Sequence, residues 1–418
     1  MMRRGSARFP WVVVVGLLCV GGLSCGREKP GLTLELRADK TRYLLDEPLL
    51  VTVVFDNRGT EDAPLIVVPA PVIGILDLEI TAPGEQAHRG PAIAPGDFGP
   101  GRFVRPDVQV RPGGQYSTGM YLRDLAGGER RPLRSRPGEY VIRAHYATPE
   151  RWEGEPVELW SDPLRLAVTE PEGVDRRAYA VLQKGAQATD GKIWGVGAER
   201  KEYYEQVLRE YPESGYACYA RHYLASRYSY EGSSRRRGTP EGAAALRRSA
   251  ALRLAVAEEA GDTAFGVSAA LGAGRTLATV GDTARAQAAL EMAFTSPAAT
   301  DEVRRQALSH LRDVESGYLH HASRLAAKQI RTPLALRLDR FAQALGLSVG
   351  WDQQTKTVTV SGPKVMAVLQ PGEDHMVVNG KRVEGVRVSV KDGQVVVSPS
   401  VIGPLMAAQL GRDPAERW

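Results

Sequence analysis

The sequence predicts a multidomain chain: a β-sandwich, then an all-α region, then a small α+β module. Three observations predict it. The 418 residues exceed what one hydrophobic core normally organises. Period-two alternation broken by Gly/Pro turns runs to about residue 171 and returns from Pro333, whereas the stretch between them carries helical spacing. Hydrophobic residues at 43% and charged residues at 25% fit folded domains and argue against wholesale disorder.

The first element is a leader. Arg3, Arg4 and Arg8 precede an apolar run from Trp11 to Val20, too short for a spanning helix, and "GGLSCG" follows. Residues 1–24 therefore read as a signal peptide. The small residues before Cys25, with Leu23 and Ser24 in the two preceding places, resemble the lipobox of bacterial lipoproteins. That resemblance implies acylation of Cys25, a membrane contact through the N-terminal lipid, and a place in the bacterial cell envelope, at the outer membrane because no Asp follows the Cys; cleavage and secretion is the alternative. Removing the leader takes three Arg and no acid, which lowers the net charge of +5 by three, to +2. So weak a charge argues against nucleic acid. With Cys19 lost and Cys25 acylated, Cys218 has no partner for an intramolecular disulfide; it reads as a small helical residue or, in an enzyme, as a nucleophile.

Residues 31–171 read as the sandwich. Leu49, Val51, Val53 and Phe55 share one strand face before the turn "DNRG" at Asp56–Gly59, and "PGE" at Pro137–Glu139 leads into the alternation of Tyr140, Ile142, Ala144 and Tyr146. Leu164, Leu166 and Val168 give a last strand, and the lack of helical period between short strands predicts antiparallel pairing. The frame "TRYLLDEPLLVTVVFDNRG", "PGEYVIRAHY", "WSDPLRLAV" resembles immunoglobulin-like domains of bacterial envelope proteins, which implies a spacer or adhesion module.

Residues 172–332 read as helical. In "AALGAGRTLATVGDTARAQAALEMAFTSP", Ala269–Pro297, two helical stretches flank Gly281-Asp282, with Gly274, Ala286 and Ala293 at small positions. The segment resembles a tetratricopeptide repeat, which implies stacked helix pairs and a face for a protein partner. Eight of the 15 tyrosines fall between Tyr203 and Tyr230, and Tyr216, Tyr219, Tyr223 and Tyr230 share one helical stripe. The stripe reads either as a partner-binding groove or as packing between helices. Thr300-Asp301-Glu302 opens a helix whose stripe is Val303, Ala307, Leu311, Val314, Tyr318 and Leu325. His310 and His321, 11 residues apart on it, would stand about 16 Å apart, too far to share a metal.

Residues 333–412 read as the α+β module. A short helix ends at "FAQALG"; Val358 and Val360 interleave with Thr357 and Thr359; "VNGK", Val378–Lys381, is a tight Asn-Gly hairpin; and Val386, Val388 and Val390 lead through "KDG" to a second helix. Phe341, Ala342, Leu345 and Gly346 recur as Met406, Ala407, Leu410 and Gly411. Trp351 is expected to pack the helix-to-strand corner. The run from Leu345 to Gly411 resembles the copper amine oxidase N-terminal-like domain, which implies a small sheet with packed helices that binds no copper itself.

No HExxH, Cys-x-x-Cys or phosphate-binding glycine loop occurs, and no Asn-Tyr dipeptide of the kind a copper amine oxidase converts to its quinone. The expectation is a non-enzymatic envelope lipoprotein without cofactor or metal, acting as scaffold or adaptor. Two alternatives stand beside it: cell-wall polysaccharide or peptidoglycan binding through the C-terminal module, and an envelope enzyme built on Cys218.

Overall fold

The structure, a computed structural model, describes residues 31–65, 76–91, 108–122, 136–148, 157–189, 191–235, 239–316, 336–391, 394–410 and 414. Residues 1–24, Cys25, His321 and the stripe positions Tyr318 and Leu325 lie outside the described residues.

Two sheets build the N-terminal region. In the first, β3 (Leu49–Asn57) runs between β1 (Leu32–Ala38) and β8 (Gly114–Leu122). In the second the order is β2 (Arg42–Leu44), β11 (Leu164–Thr169), β9 (Gly138–Ala147), β5 (Leu76–Thr81) and β6 (His88–Pro91), with β10 (Glu158–Trp160) on β9. A short pair, β4 (Ala63–Leu65) and β7 (Val108–Val110), completes the region. All pairings are antiparallel except β2 with β11, which is parallel, against the sequence expectation. The sheets meet face to face, with Phe55 edge-on to Tyr146 at 5.0 Å between ring centroids. The predicted alternation of β3 is nearly lost in its burial: Leu50 and Val54 are buried as well as Val51, Val53 and Phe55. Helices cover its second face, and a strand covered on both sides has no wet row.

Among the described residues seven α-helices follow: α1 (Gly173–Gln187), α2 (Lys201–Glu210), α3 (Ala217–Tyr230), α4 (Pro240–Ala260), α5 (Ala264–Thr279), α6 (Thr283–Thr295) and α7 (Asp301–Ser316). Thr239, Thr263 and Asp282 cap α4, α5 and α6, each accepting from a backbone N–H three residues on. Between α5 and α6, a Cβ on Gly274 would stand 2.5 Å from Leu290 Cγ, so only glycine lets these two helices approach this closely. The helix pair of the sequence reading is present; Ala286 and Ala293 are both fully buried.

The C-terminal region comprises two antiparallel sheets and two helices. β12 (Leu336–Arg337), β19 (Gln394–Val397) and β18 (Val388–Lys391) form one sheet. β13 (Ser348–Asp352), β14 (Thr357–Ser361), β15 (Met366–Leu369), β16 (His375–Val378) and β17 (Lys381–Glu384) form a meander. The β16–β17 turn has Asn379 and Gly380 at φ 51° and 80°, as an Asn-Gly hairpin requires. Helices α8 (Leu338–Ala344) and α9 (Pro399–Gln409) bury Phe341, Ala342, Met406 and Ala407.

The buried apolar residues gather into two clusters rather than three. One joins the sandwich to α1–α3, and the other joins α4–α7 to the C-terminal sheets and helices. In the second, Phe294 of α6 meets Phe341 of α8 at 4.7 Å, and Arg312 of α7 lies against Gly403 of α9, where a Cβ would collide with its guanidinium. No helix among the described residues is long and apolar enough to cross a membrane.

Candidate interaction surfaces

Two surfaces stand out, one closed and one open. The closed one starts from the corner between β2 and β3, "LLDEP". Asp46 turns the chain in the left-handed region, φ 56°, and Pro48 holds Glu47 extended. The corner then presents two backbone carbonyls and two carboxylates to the helices. Tyr179 of α1 donates to Asp46 Oδ2 at 2.7 Å, Trp194 Nε1 to Asp46 O at 2.6 Å, Tyr216 to Leu45 O at 2.6 Å and Tyr219 of α3 to Glu47 Oε1 at 2.6 Å. Glu47 is only 3% exposed, and its charge is met by Lys40, by Tyr219 and by Leu44 N–H at 2.7 Å. Burial and the neighbouring Glu47 carboxylate push the Tyr219 hydroxyl far above the tyrosine range, and burial does the same to Tyr216 and Tyr179. All three remain protonated donors.

Behind these hydroxyls the rings form one stack. Trp194 lies 5.1 Å from Tyr223, 6.0 Å from Tyr204 and 6.0 Å from Tyr219. Each such pair adds about 0.5–1.5 kcal/mol beyond area burial. The residues around Trp194 are held by Tyr204, which accepts from Gly195 N–H and donates to Ile193 O. At the other end of the joint, Asp301 of α7 accepts from Ser117 N–H at 2.9 Å and Ser117 Oγ at 3.1 Å on β8.

These positions correct the groove reading of the tyrosine stripe. Tyr216, Tyr219 and Tyr223 are buried, and the first two point at the chain's own sandwich rather than at solvent. Tyr230 is 45% exposed because it ends α3, past the Trp194 stack, and carries the Arg227 guanidinium over its ring. Sequence reasoning missed Tyr179, Trp194, Asp46 and Glu47. Their one local signal is an acidic pair set between Leu45 and Pro48.

The open surface is the outward face of the C-terminal meander. Val358, Val360, Ala367, Leu369, Met376 and Val378 point inward and are buried. The register sets Thr359, Val368, Val377 and Arg382 in one outward row, with Ser361 opposite Met366 beside it. Met366 is 55% and Val368 41% exposed. Trp351 does not pack the corner: it lies opposite Val358 on an edge strand and is 40% exposed.

Two further groups carry nucleophilic or ligating atoms. Cys218 is half-buried and its thiol is pushed up to about 12, chiefly by burial and next by Glu259, which works against a thiolate nucleophile. Glu373, Asp374 and His375 place ligand atoms within 4.8 Å of one another, a convergence the sequence reading overlooked in three consecutive residues. Both acids are exposed, and exposed acids cluster without an ion, so the trio earns no metal assignment.

Comparison with known proteins bears on the open surface. The family model for the copper amine oxidase N-terminal domain matches residues 327–417. No curated protein sequence matches the chain. Among solved structures, a β-glucosidase from Erythrobacter marinus is 17% identical at a TM-score of 0.19, the match covering 33% of this chain and 15% of that one. The sporulation control protein Spo0M of Bacillus subtilis is 13% identical at 0.19, covering 37% and 55%. A CARDB domain from Pyrococcus furiosus, solved with di-metal ions, is 13% identical at 0.18, covering 35% and 99%. Similarity at this level carries no argument about function.

Proposed function

We propose that the chain is a non-catalytic component of the bacterial cell envelope, anchored by lipid on Cys25 and acting as a scaffold or adaptor through the C-terminal module. The observation that carries this reading is where the exposed apolar side chains lie. Of the seven large hydrophobic residues exposed among the described residues, Trp351, Met366, Val368 and Val390 belong to that module. The match to a copper amine oxidase N-terminal domain, a non-catalytic domain, supports it. A photo-crosslinking side chain placed at Met366 in the full chain tests it: a discrete protein adduct in envelopes, absent when the group sits at Arg247 on α4, is the expected result, and its absence overturns the reading. For the anchor, labelled fatty acid enters the wild-type chain and not Cys25→Ser; a wild-type chain that takes up no label is secreted instead.

The hydroxyl row Thr357, Thr359 and Ser361 beside Met366 and Val368 favours a second reading. Alternating hydroxyl and apolar groups suit a sugar polymer, whose rings carry hydroxyls at the rim and C–H groups on their faces. The full chain then pellets with cell-wall sacculi and Thr359→Arg abolishes pelleting; wild-type protein left in the supernatant removes this reading.

A further inference from the structure

The joint between sandwich and helices has the form of a bound ligand. Four aromatic donors, Tyr179, Trp194, Tyr216 and Tyr219, come from α1, from the segment after it, from the residue that precedes α3 and from α3 itself, and all end on three consecutive residues of one turn. Simple packing between two domains needs no such convergence. The donors read carbonyl oxygens and carboxylates, and the left-handed Asp46 is what lets one turn offer all of them to one side. The sandwich is tied to α7 as well, by Ser117 to Asp301, a contact the corner does not share.

We propose that the face formed by Tyr179, Trp194, Tyr216 and Tyr219 is a receptor for an acidic turn, and that the chain's own Leu45–Asp46–Glu47 occupies it. In the resting molecule that face is closed to other proteins, and it fits a partner only if the partner presents a comparable Asp/Glu turn to an opened corner. This holds whether or not the C-terminal module binds anything.

Cys218, on α3 next to Tyr219, is a built-in reporter. The experiment is maleimide labelling of Cys218 in the full chain at slightly alkaline pH, followed by peptide mass spectrometry. Asp46→Asn combined with Glu47→Gln keeps the shape of the corner and removes its charge, and is expected to raise the labelling rate about tenfold or more, well beyond the rise given by Glu259→Gln, which removes a charge beside the same thiol and leaves the corner intact. Tyr179→Phe with Tyr219→Phe removes two donors while keeping the rings, and raises it similarly. A head-to-tail cyclised peptide carrying residues 43–48, free of any disulfide, then slows labelling of the corner variant and leaves the tyrosine variant unaffected. Unchanged labelling in both variants overturns the proposal, because packing alone then closes the joint. Increased labelling with no protection by the peptide also overturns it, because the face then opens but recognises no acidic turn.

Discussion

The two surfaces use the same chemistry to opposite ends. The aromatic face of α1–α3 holds its hydroxyls and rings inside, each donor matched to an acceptor on the β2–β3 corner, and its edges are sealed by Lys40 and by the bonds around Trp194. The outward face of the C-terminal meander leaves Met366 and Val368 in solvent beside Thr359 and Ser361, with the buried row directly behind them. Aromatic and hydroxyl content therefore does not mark a binding surface in this chain. What separates the two is whether another part of the chain supplies the complementary acceptors.

The largest effect is expected where the second core crosses from helices to module. Phe341 is fully buried against Phe294, and Phe341→Ala removes a ring the site cannot refill, at about 3–5 kcal/mol. Chemical denaturation followed by tryptophan fluorescence measures the loss, which should shift the midpoint without exposing the β2–β3 corner. A transition in which both cores unfold at the same lowered midpoint would show that the cores are one cooperative unit.

The corner comes next. Glu47→Ala leaves the Tyr219 hydroxyl, the Leu44 N–H and Lys40 without their acceptor, and charge-assisted bonds of this kind are worth about 1.5–3 kcal/mol each, less for Lys40, which is part-exposed. A loss of about 2–3 kcal/mol is expected, because the three bonds share one carboxylate and do not add. Tyr223→Phe, which keeps the ring behind the corner and removes its hydroxyl, should cost less than Glu47→Ala; equal losses would mean that the Tyr223 hydroxyl holds the joint as firmly as the acidic turn does.

A smaller and pH-dependent effect belongs to Asp301. Burial raises its carboxyl above the ordinary range, against the opposing pull of Arg304 and of Ser117. A carboxyl with a raised folded-state pKa contributes stability that is fully present below its unfolded value and is lost as pH rises through the folded one. The wild-type chain should thus lose stability across that window relative to Asp301→Asn, whose side-chain oxygen still accepts from Ser117. Parallel stability curves for the two chains would mean that Arg304 balances the burial in full.

Local chemistry explains which of these features could be read in advance. The Asn379-Gly380 hairpin, the start of α7 at Thr300-Asp301 and the inward row of the meander are set by residues within a few places of each other. The corner is not: Asp46 and Tyr179 are 133 residues apart, and Glu47 and Tyr219 are 172 apart. Periodicity placed Tyr216, Tyr219 and Tyr223 on one stripe, but a stripe does not say what covers it. The same gap hid the second burial of β3, since Leu50 and Val54 read as the wet row of a half-exposed strand until helices are laid across them. Cys25 and the leader rest on their sequence pattern alone.

The smallest effect on folding is expected on the open face, and it sharpens the comparison most. Val368→Glu adds a charge to a side chain already 41% exposed, on a row whose neighbours across the strands are Thr359 and Val377. Solvated substitutions away from caps, cores and strained turns stay within about 0.5 kcal/mol. The denaturation midpoint should therefore hold while any adduct formed from Met366 disappears, because a buried carboxylate without a partner is costly in an apolar interface. If Val368→Glu instead destabilises the chain as much as Glu47→Ala does, the face is covered by part of this same protein, and both surfaces are internal joints.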